Sequence, residues 1–156
     1  MRIKYIIPFP LDADGVARRA EQVPWDALGP NTQVECVPVR NSGTLADSHY
    51  EALVLEMYVT EAGLRAEDEG FDAVVMDTSS DSGLSALRSR LTIPVIGPGI
   101  VGYVIAMLLG RRFSVITMWD RWRYVHEKNF DSYPLWDRVA SIRSIDAAPK
   151  LARRLE

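Results

Sequence analysis

The sequence predicts an α/β protein built on a parallel, doubly wound sheet. Short apolar and β-branched runs alternate with helical stretches along the chain, the pattern that folds into strand–helix–strand units with parallel strands. The central segment, residues 71–99, reads as strand, polar loop, helix, strand and Gly-Pro-Gly loop in that order. With 47% hydrophobic and 25% charged residues, the 156-residue chain can bury a core of ordinary size.

Ile3-Lys4-Tyr5-Ile6-Ile7 is the first strand, and Pro8-Phe9-Pro10 stops it because proline cannot donate to a central ladder. Asp12 or Asp14 then caps a short helix that runs to the region of Gln22, and residues 24–32, with two prolines and a glycine, form a loop. Residues 33–39 are a second strand, assigned to a sheet edge by Pro38. After the polar break Asn41-Ser42-Gly43-Thr44, Asp47 or Ser48 starts the longest helix. Its apolar stripe reads as Tyr50, Leu53, Val54, Met57 and Leu64, and Gly70 ends it in a left-handed conformation.

Residues 73–76 are the third strand, 84–91 a helix, and Val95-Ile96 the fourth strand. Residues 100–109 have almost no polar face, so that helix is expected to be buried on most sides, and Gly110 ends it. Residues 113–117 form a fifth strand, 119–129 a helix with mixed faces, and 139–145 a sixth strand. The stretch from Ala148 to Glu156 reads as the beginning of a helix. Two strands after a buried helix imply a second sheet, so the chain divides into a first α/β domain, residues 1–110, and the beginning of a second, incomplete one, residues 111–156.

Composition excludes several classes of function. A formal net charge of −3 with scattered basic residues argues against a nucleic-acid surface. Cys36 is the sole cysteine, so no intrachain disulfide and no thiolate-based zinc site can form, and a reducing cytoplasm is the expected setting. Cys36 itself reads as a core residue. The first residues pass directly into a strand without the pattern of a secretory signal, and the most apolar helix is about half as long as a membrane span requires. His49 and His126 lie far apart without a second ligand at helical spacing, so no metal site is expected. Trp119, Trp122, Tyr124 and Trp136 read as packing residues or as a pocket wall.

The loop Asp77-Thr78-Ser79-Ser80-Asp81 follows the third strand, and ligands of open α/β sheets gather at the carboxyl ends of strands. A plain helix cap would use the same residue types.

Four ordered pieces resemble the aspartate/glutamate/hydantoin racemase superfamily, most closely its hydantoin and allantoin racemase branch. Asp81-Ser82-Gly83-Leu84 is similar to that branch's Asp-Pro-Gly-Leu, and Ile93-Pro94-Val95-Ile96-Gly97-Pro98-Gly99 to its Ile-Pro-Val-Val-Gly. Residues 108–117, Leu-Leu-Gly-Arg-Arg-Phe-Ser-Val-Ile-Thr, are similar to Leu-Gly-Arg-Arg-Phe-Gly-Val-Leu-Thr, and residues 140–146 to Ala-Ser-Val-Arg-Ala-Ile-Asp. The resemblance implies a flavodoxin-like first domain of a two-domain racemase-type fold with the start of the second, the C-terminal part of a typical member being absent. It also implies a cofactor-independent racemase or isomerase acting on a small carboxylate or cyclic amide, with an active site in the interdomain cleft and one cysteine contributed by each domain. The apolar helix is compatible with a homo-oligomer.

The sequence departs from that pattern where the family's first cysteine falls, since Asp77-Thr78-Ser79 stands there. Thr78 and Ser79 read as hydrogen-bond donors to a substrate carboxylate or a developing enolate, and Asp77 as a base if burial raises its pKa. Pro8 occupies the place of an Asn-Pro-Asn that follows the family's first strand, and Thr117 matches a threonine that faces the cleft. Arylmalonate decarboxylases, related proteins with a hydroxyl-rich loop, supply an alternative reaction. A non-catalytic domain that binds a small ligand or a partner supplies a second.

Overall fold

The computed structural model describes residues 1–43 and 45–149, so Thr44 and most of the expected terminal helix lie outside the described residues. Among the described residues six strands and five α-helices alternate: β1 (Arg2–Ile7), α1 (Ala13–Ala20), β2 (Gln33–Pro38), α2 (His49–Gly63), β3 (Ala73–Met76), α3 (Leu84–Arg88), β4 (Val95–Ile96), α4 (Pro98–Leu109), β5 (Phe113–Thr117), α5 (Arg123–Ser132) and β6 (Val139–Ser144). The first four strands form one parallel sheet in the order β2-β1-β3-β4, and β5 and β6 pair in parallel as a second sheet. This is the expected α/β class, with β2 at an edge, where Pro38 is tolerated.

The chain runs from β1 outward to β2 and then returns to the other side of β1 for β3. The direction of winding therefore reverses between β1 and β3, and a crevice opens at their carboxyl ends.

Local chemistry sets the helix starts. The Asp12 carboxylate accepts from Gly15 N–H at the start of α1, and the Ser48 side chain accepts from Glu51 N–H at the start of α2. Helix α2 stops at Gly63, and the chain continues in turns to Gly70, where φ is +77°. The left-handed glycine is thus present, seven residues beyond the helix it was expected to end. The expected 119–129 helix is a 3-10 turn, Asp120–Trp122, followed by α5.

Two apolar clusters hold the molecule together. Ile6, Val74 and Met76 of the first sheet pack against Leu55 and Val59 of α2 and Leu87 of α3. A smaller cluster joins Tyr103 of α4 to Phe130, Leu135, Val139 and Ile142, with the Tyr103 ring stacked 5.6 Å from Phe113. Full burial of a side chain such as Leu87 contributes about 2 kcal/mol.

Three burial expectations are corrected. On α2 the buried residues are Leu55, Val59 and Gly63, whereas Tyr50, Leu53 and Met57 face outward and Leu64 is 42% exposed. Both stripes have helical spacing, so periodicity alone did not tell which one meets the sheet. On α4 only Gly99 and Tyr103 are buried, and Leu108 and Leu109 are more than 80% exposed. The helix meets neighbours along one line only, so high hydropathy all round did not mean cover all round. Cys36 is half-buried on the edge strand rather than in the core.

Candidate functional site

A cavity of about 480 Å³ opens where strand ends of both sheets converge. Pro8 follows β1, residues 77–80 follow β3, Pro98 follows β4, and Thr117 ends β5; all of them line it. Phe9, Leu55 and Val125 supply apolar wall, and Trp122 and His126 close the side formed by the second sheet. Pro8, Asp77, Thr78, Ser79 and Thr117, separated by up to 109 positions in sequence, thus share one concave surface.

Each arrives there for a local reason. Asp77 N–H continues the β1–β3 ladder by donating to the Ile6 carbonyl at 2.9 Å, so the chain leaves the sheet only after Asp77 and its side chain stands at the sheet's rim. The next residues make a tight hydroxyl chain, with Thr78 Oγ1 2.7 Å from Ser80 Oγ and Ser80 Oγ 2.6 Å from the buried Ser82 Oγ. Asp81 ends the loop at φ +52°, a left-handed conformation that aspartate tolerates better than most residues. Gly99 fits under this loop because a Cβ there would run into the Ser79 carbonyl and the Asp81 carboxylate.

The Asp77 carboxylate is engaged three times. Its Oδ1 accepts from Tyr5 Oη and from one terminal guanidinium nitrogen of Arg19, both at 2.6 Å, and Oδ2 accepts from Arg19 Nε. The Asp77 side chain is 9% exposed against 34% for Arg19, so the carboxylate is nearly buried and the guanidinium covers it from the solvent side. Burial first, and then the neighbouring carboxylate, push the Tyr5 phenol well above its ordinary range, so it stays a donor.

On the facing wall, Tyr103 Oη lies 2.8 Å from His126 Nδ1. Burial lowers the His126 pKa below its ordinary value and pushes the Tyr103 phenol up to about 12. Asn129, one turn further along α5, donates to the Ser79 carbonyl at 3.2 Å and so ties the loop to that helix. Trp122 Nε1 donates to the Leu45 carbonyl at 2.9 Å and Tyr124 Oη to the Ala46 carbonyl at 2.6 Å, which hold the 45–48 loop against the start of α5.

Sequence reasoning missed Arg19, Tyr5 and His126. Arg19 carried one usable signal, as a basic residue in the last turn of a helix that follows β1. Of the aromatic residues, Trp122 lines the cavity, while Trp136 packs edge-on against Phe130 at 5.3 Å. Cys36 is not among the lining residues, and burial raises its thiol pKa, which disfavours the thiolate. Among the described residues no group of three or more His, Cys, Asp or Glu side chains is placed to hold a metal ion. None of the described helices is long and apolar enough to cross a membrane.

A largely apolar cavity with a few convergent hydroxyls at parallel strand ends has the form that small-ligand sites take in the α/β class. The family model for Asp/Glu/Hydantoin racemase matches residues 16–156, and the chain belongs to that family. A hydantoin racemase of Pseudomonas sp. (strain NS671) is 31% identical over 144 residues, which cover 92% of this chain and 57% of that protein. The solved allantoin racemase from Klebsiella pneumoniae superposes with a TM-score of 0.84 at 24% identity, over 97% of this chain and 61% of that one. The allantoin racemase from Pseudomonas fluorescens gives 0.82 at 26% identity, over 95% and 62%. The chain therefore spans about three fifths of the length of these relatives.

Proposed function

We propose that this cavity binds a small molecule with an acidic carbon–hydrogen bond beside a carbonyl, and that the protein racemises it by proton transfer without a cofactor. The observation that carries the reading is the convergence of Thr78, Ser79 and Ser80 with Thr117 on one cavity. Removing the proton leaves an enolate oxygen, and fixed donors placed around that oxygen lower the barrier. In this reading Thr78 and Ser79 supply donors, and Pro8 and Thr117 shape the pocket. The proton passes from the carbon to Asp77, the one carboxylate among the described lining residues, which Tyr5 and Arg19 hold at the cavity rim, and from Asp77 back to the carbon.

Charge favours a cyclic amide over a dicarboxylate. The one cation lining the cavity among the described residues is Arg19, and Asp77 neutralises it. A neutral hydantoin-type ring, of the kind the relatives' names describe, needs no unpaired cation, whereas aspartate or glutamate would leave a carboxylate without one. A division near residue 110 into two α/β units belongs to the same reading, with α4 bridging them, since Ile100 packs against both apolar clusters and Tyr103 belongs to the second. The single half-buried cysteine is compatible with a cytoplasmic setting.

The test is deuterium wash-in at the acidic carbon in heavy water, followed by proton NMR, with hydantoins, allantoin, aspartate and glutamate. Exchange of a cyclic amide faster than of either amino acid is the expected result; no exchange with any of them at high protein concentration refutes the reading. The same hydroxyl wall would also stabilise the enediolate left by decarboxylation, so carbon dioxide release from a disubstituted malonate would shift the reading to an arylmalonate-decarboxylase-like reaction. Ligand binding without either reaction would mark a binding domain.

A further inference from the structure

Resting on that reading, we infer that the His126 imidazole, with its tautomer set by Tyr103, donates a hydrogen bond from Nε2 to the carbonyl oxygen of a ligand in the cavity. His126 lines the cavity, and its Nδ1 is taken by Tyr103 Oη at 2.8 Å. Nε2 has no partner among the described residues, and none of the buried side-chain nitrogens or oxygens lacks one, so Nε2 reaches accessible space. His126 itself is only 7% exposed, and the space it borders is the cavity.

The tautomer follows from the neighbours. Tyr103 keeps its proton because burial raises its pKa, and the hydrogen-bond partner of its hydroxyl among the described residues is His126 Nδ1. The phenol hydrogen is then left with Nδ1 of His126 as its acceptor within reach. A neutral imidazole that accepts at Nδ1 must carry its hydrogen on Nε2. Burial keeps the ring neutral. The titratable groups that share the cavity are Tyr5, Arg19 and Asp77 on the far wall, committed to one another, and none of them competes for Nε2. A neutral imidazole used in this way polarises the carbonyl beside the acidic carbon. Tyr103 is the positioning residue.

The chain has two histidines, so long-range nitrogen–proton correlation NMR of the wild type, assigned with His49→Gln, resolves the His126 ring. The expected spectrum has a pyridine-like Nδ1 and a pyrrole-like Nε2, and the Nε2–H signal moves when an aryl-substituted hydantoin is added. His126→Asn should slow deuterium wash-in by about 100-fold while hydantoin binding weakens only a few-fold. Tyr103→Phe should populate both tautomers and slow exchange by about tenfold. An Nδ1–H tautomer in the wild type, an Nε2–H signal indifferent to the hydantoin, or exchange by His126→Asn within about threefold of wild type overturns the inference. Wild-type protein that exchanges no hydantoin overturns the racemase reading instead, and the response of the Nε2–H signal then decides by itself whether His126 contacts the ligand.

Discussion

The Asp81 carboxylate caps a helix to which it does not belong: its Oδ1 accepts from Gly99 N–H at 2.8 Å at the start of α4, and Oδ2 accepts from Ile100 N–H at 2.7 Å. Helix α4 has no side-chain cap from its own sequence, because its N-cap residue is Gly97 and its first residue is Pro98. The bond therefore does two things. It satisfies two of the helix's unpaired donors, and it pins the cavity loop to the element that leads to the second sheet. Burial pushes the Asp81 carboxyl up, and the two N–H groups pull it back toward its ordinary value.

Asp81→Asn tests this contact cleanly, since asparagine also tolerates a φ of +52°. One oxygen remains to accept from Gly99 or Ile100, and the amide nitrogen must face the other N–H group. A buried donor set against a donor costs about 2 kcal/mol, which urea unfolding will register. Unchanged stability would show that the loop is held by other contacts.

The Arg19–Asp77 pair should be strongly coupled. Arg19→Met leaves a carboxylate only 9% exposed with Tyr5 as its remaining donor among these contacts. Breaking a buried pair costs about 3 kcal/mol or more, but Arg19 is one third exposed and water can replace part of it, so about 2 kcal/mol is expected. Adding Asp77→Asn to Arg19→Met should recover about half of the loss, because the stranded charge is then gone. A double-mutant cycle with a coupling energy near zero would contradict this.

All six strands were legible in the sequence, because Pro8, Gly97 and the run after Met76 mark strand ends in ways that depend on neighbours a few residues away. The site loop was legible for the same reason: a hydroxyl-rich stretch at the end of an apolar strand belongs at the rim of the sheet. Arg19, Tyr5 and His126 were not, since each earns its place through a partner 23 to 72 residues away. The outward faces of α2 and α4 were misread because an apolar stripe carries no label for the surface it meets. Leu55 and Val59 contact the sheet, while Leu53 and Met57, two residues earlier on the same helix, do not.

The outer face of α4 should be indifferent to charge in this chain. Ile105 is 51% and Leu108 81% exposed, so Ile105→Lys and Leu108→Lys each alter the unfolding free energy by less than about 0.5 kcal/mol. Tyr103, on the opposite face, has ring neighbours in Phe113 and Phe130 at 5.6 and 5.0 Å, and Tyr103→Ala should cost about 3 kcal/mol. Comparable losses at Leu108 would mean that something covers this face in solution, and sedimentation of the wild type would then reveal a larger species.

His126 should make stability depend on pH just below neutrality. Its pKa is lowered in the folded state from 6.5 by burial, so between 6.5 and the folded value the unfolded chain binds more protons than the native one. Stability attributable to His126 is therefore fully present above pH 6.5 and is lost as pH falls through the folded pKa. Glu67, held low by hydrogen bonds from Thr92 and Ile93, acts at more acidic pH, below 4.5, and does not confuse this window. His126→Gln keeps an acceptor for the Tyr103 hydroxyl and removes the titration. The stability difference between wild type and His126→Gln, measured by urea unfolding, should thus move in favour of the wild type as pH rises from about 5 to about 7. A difference that stays constant across that range would show that the imidazole is no more shielded in the native state than in the unfolded chain.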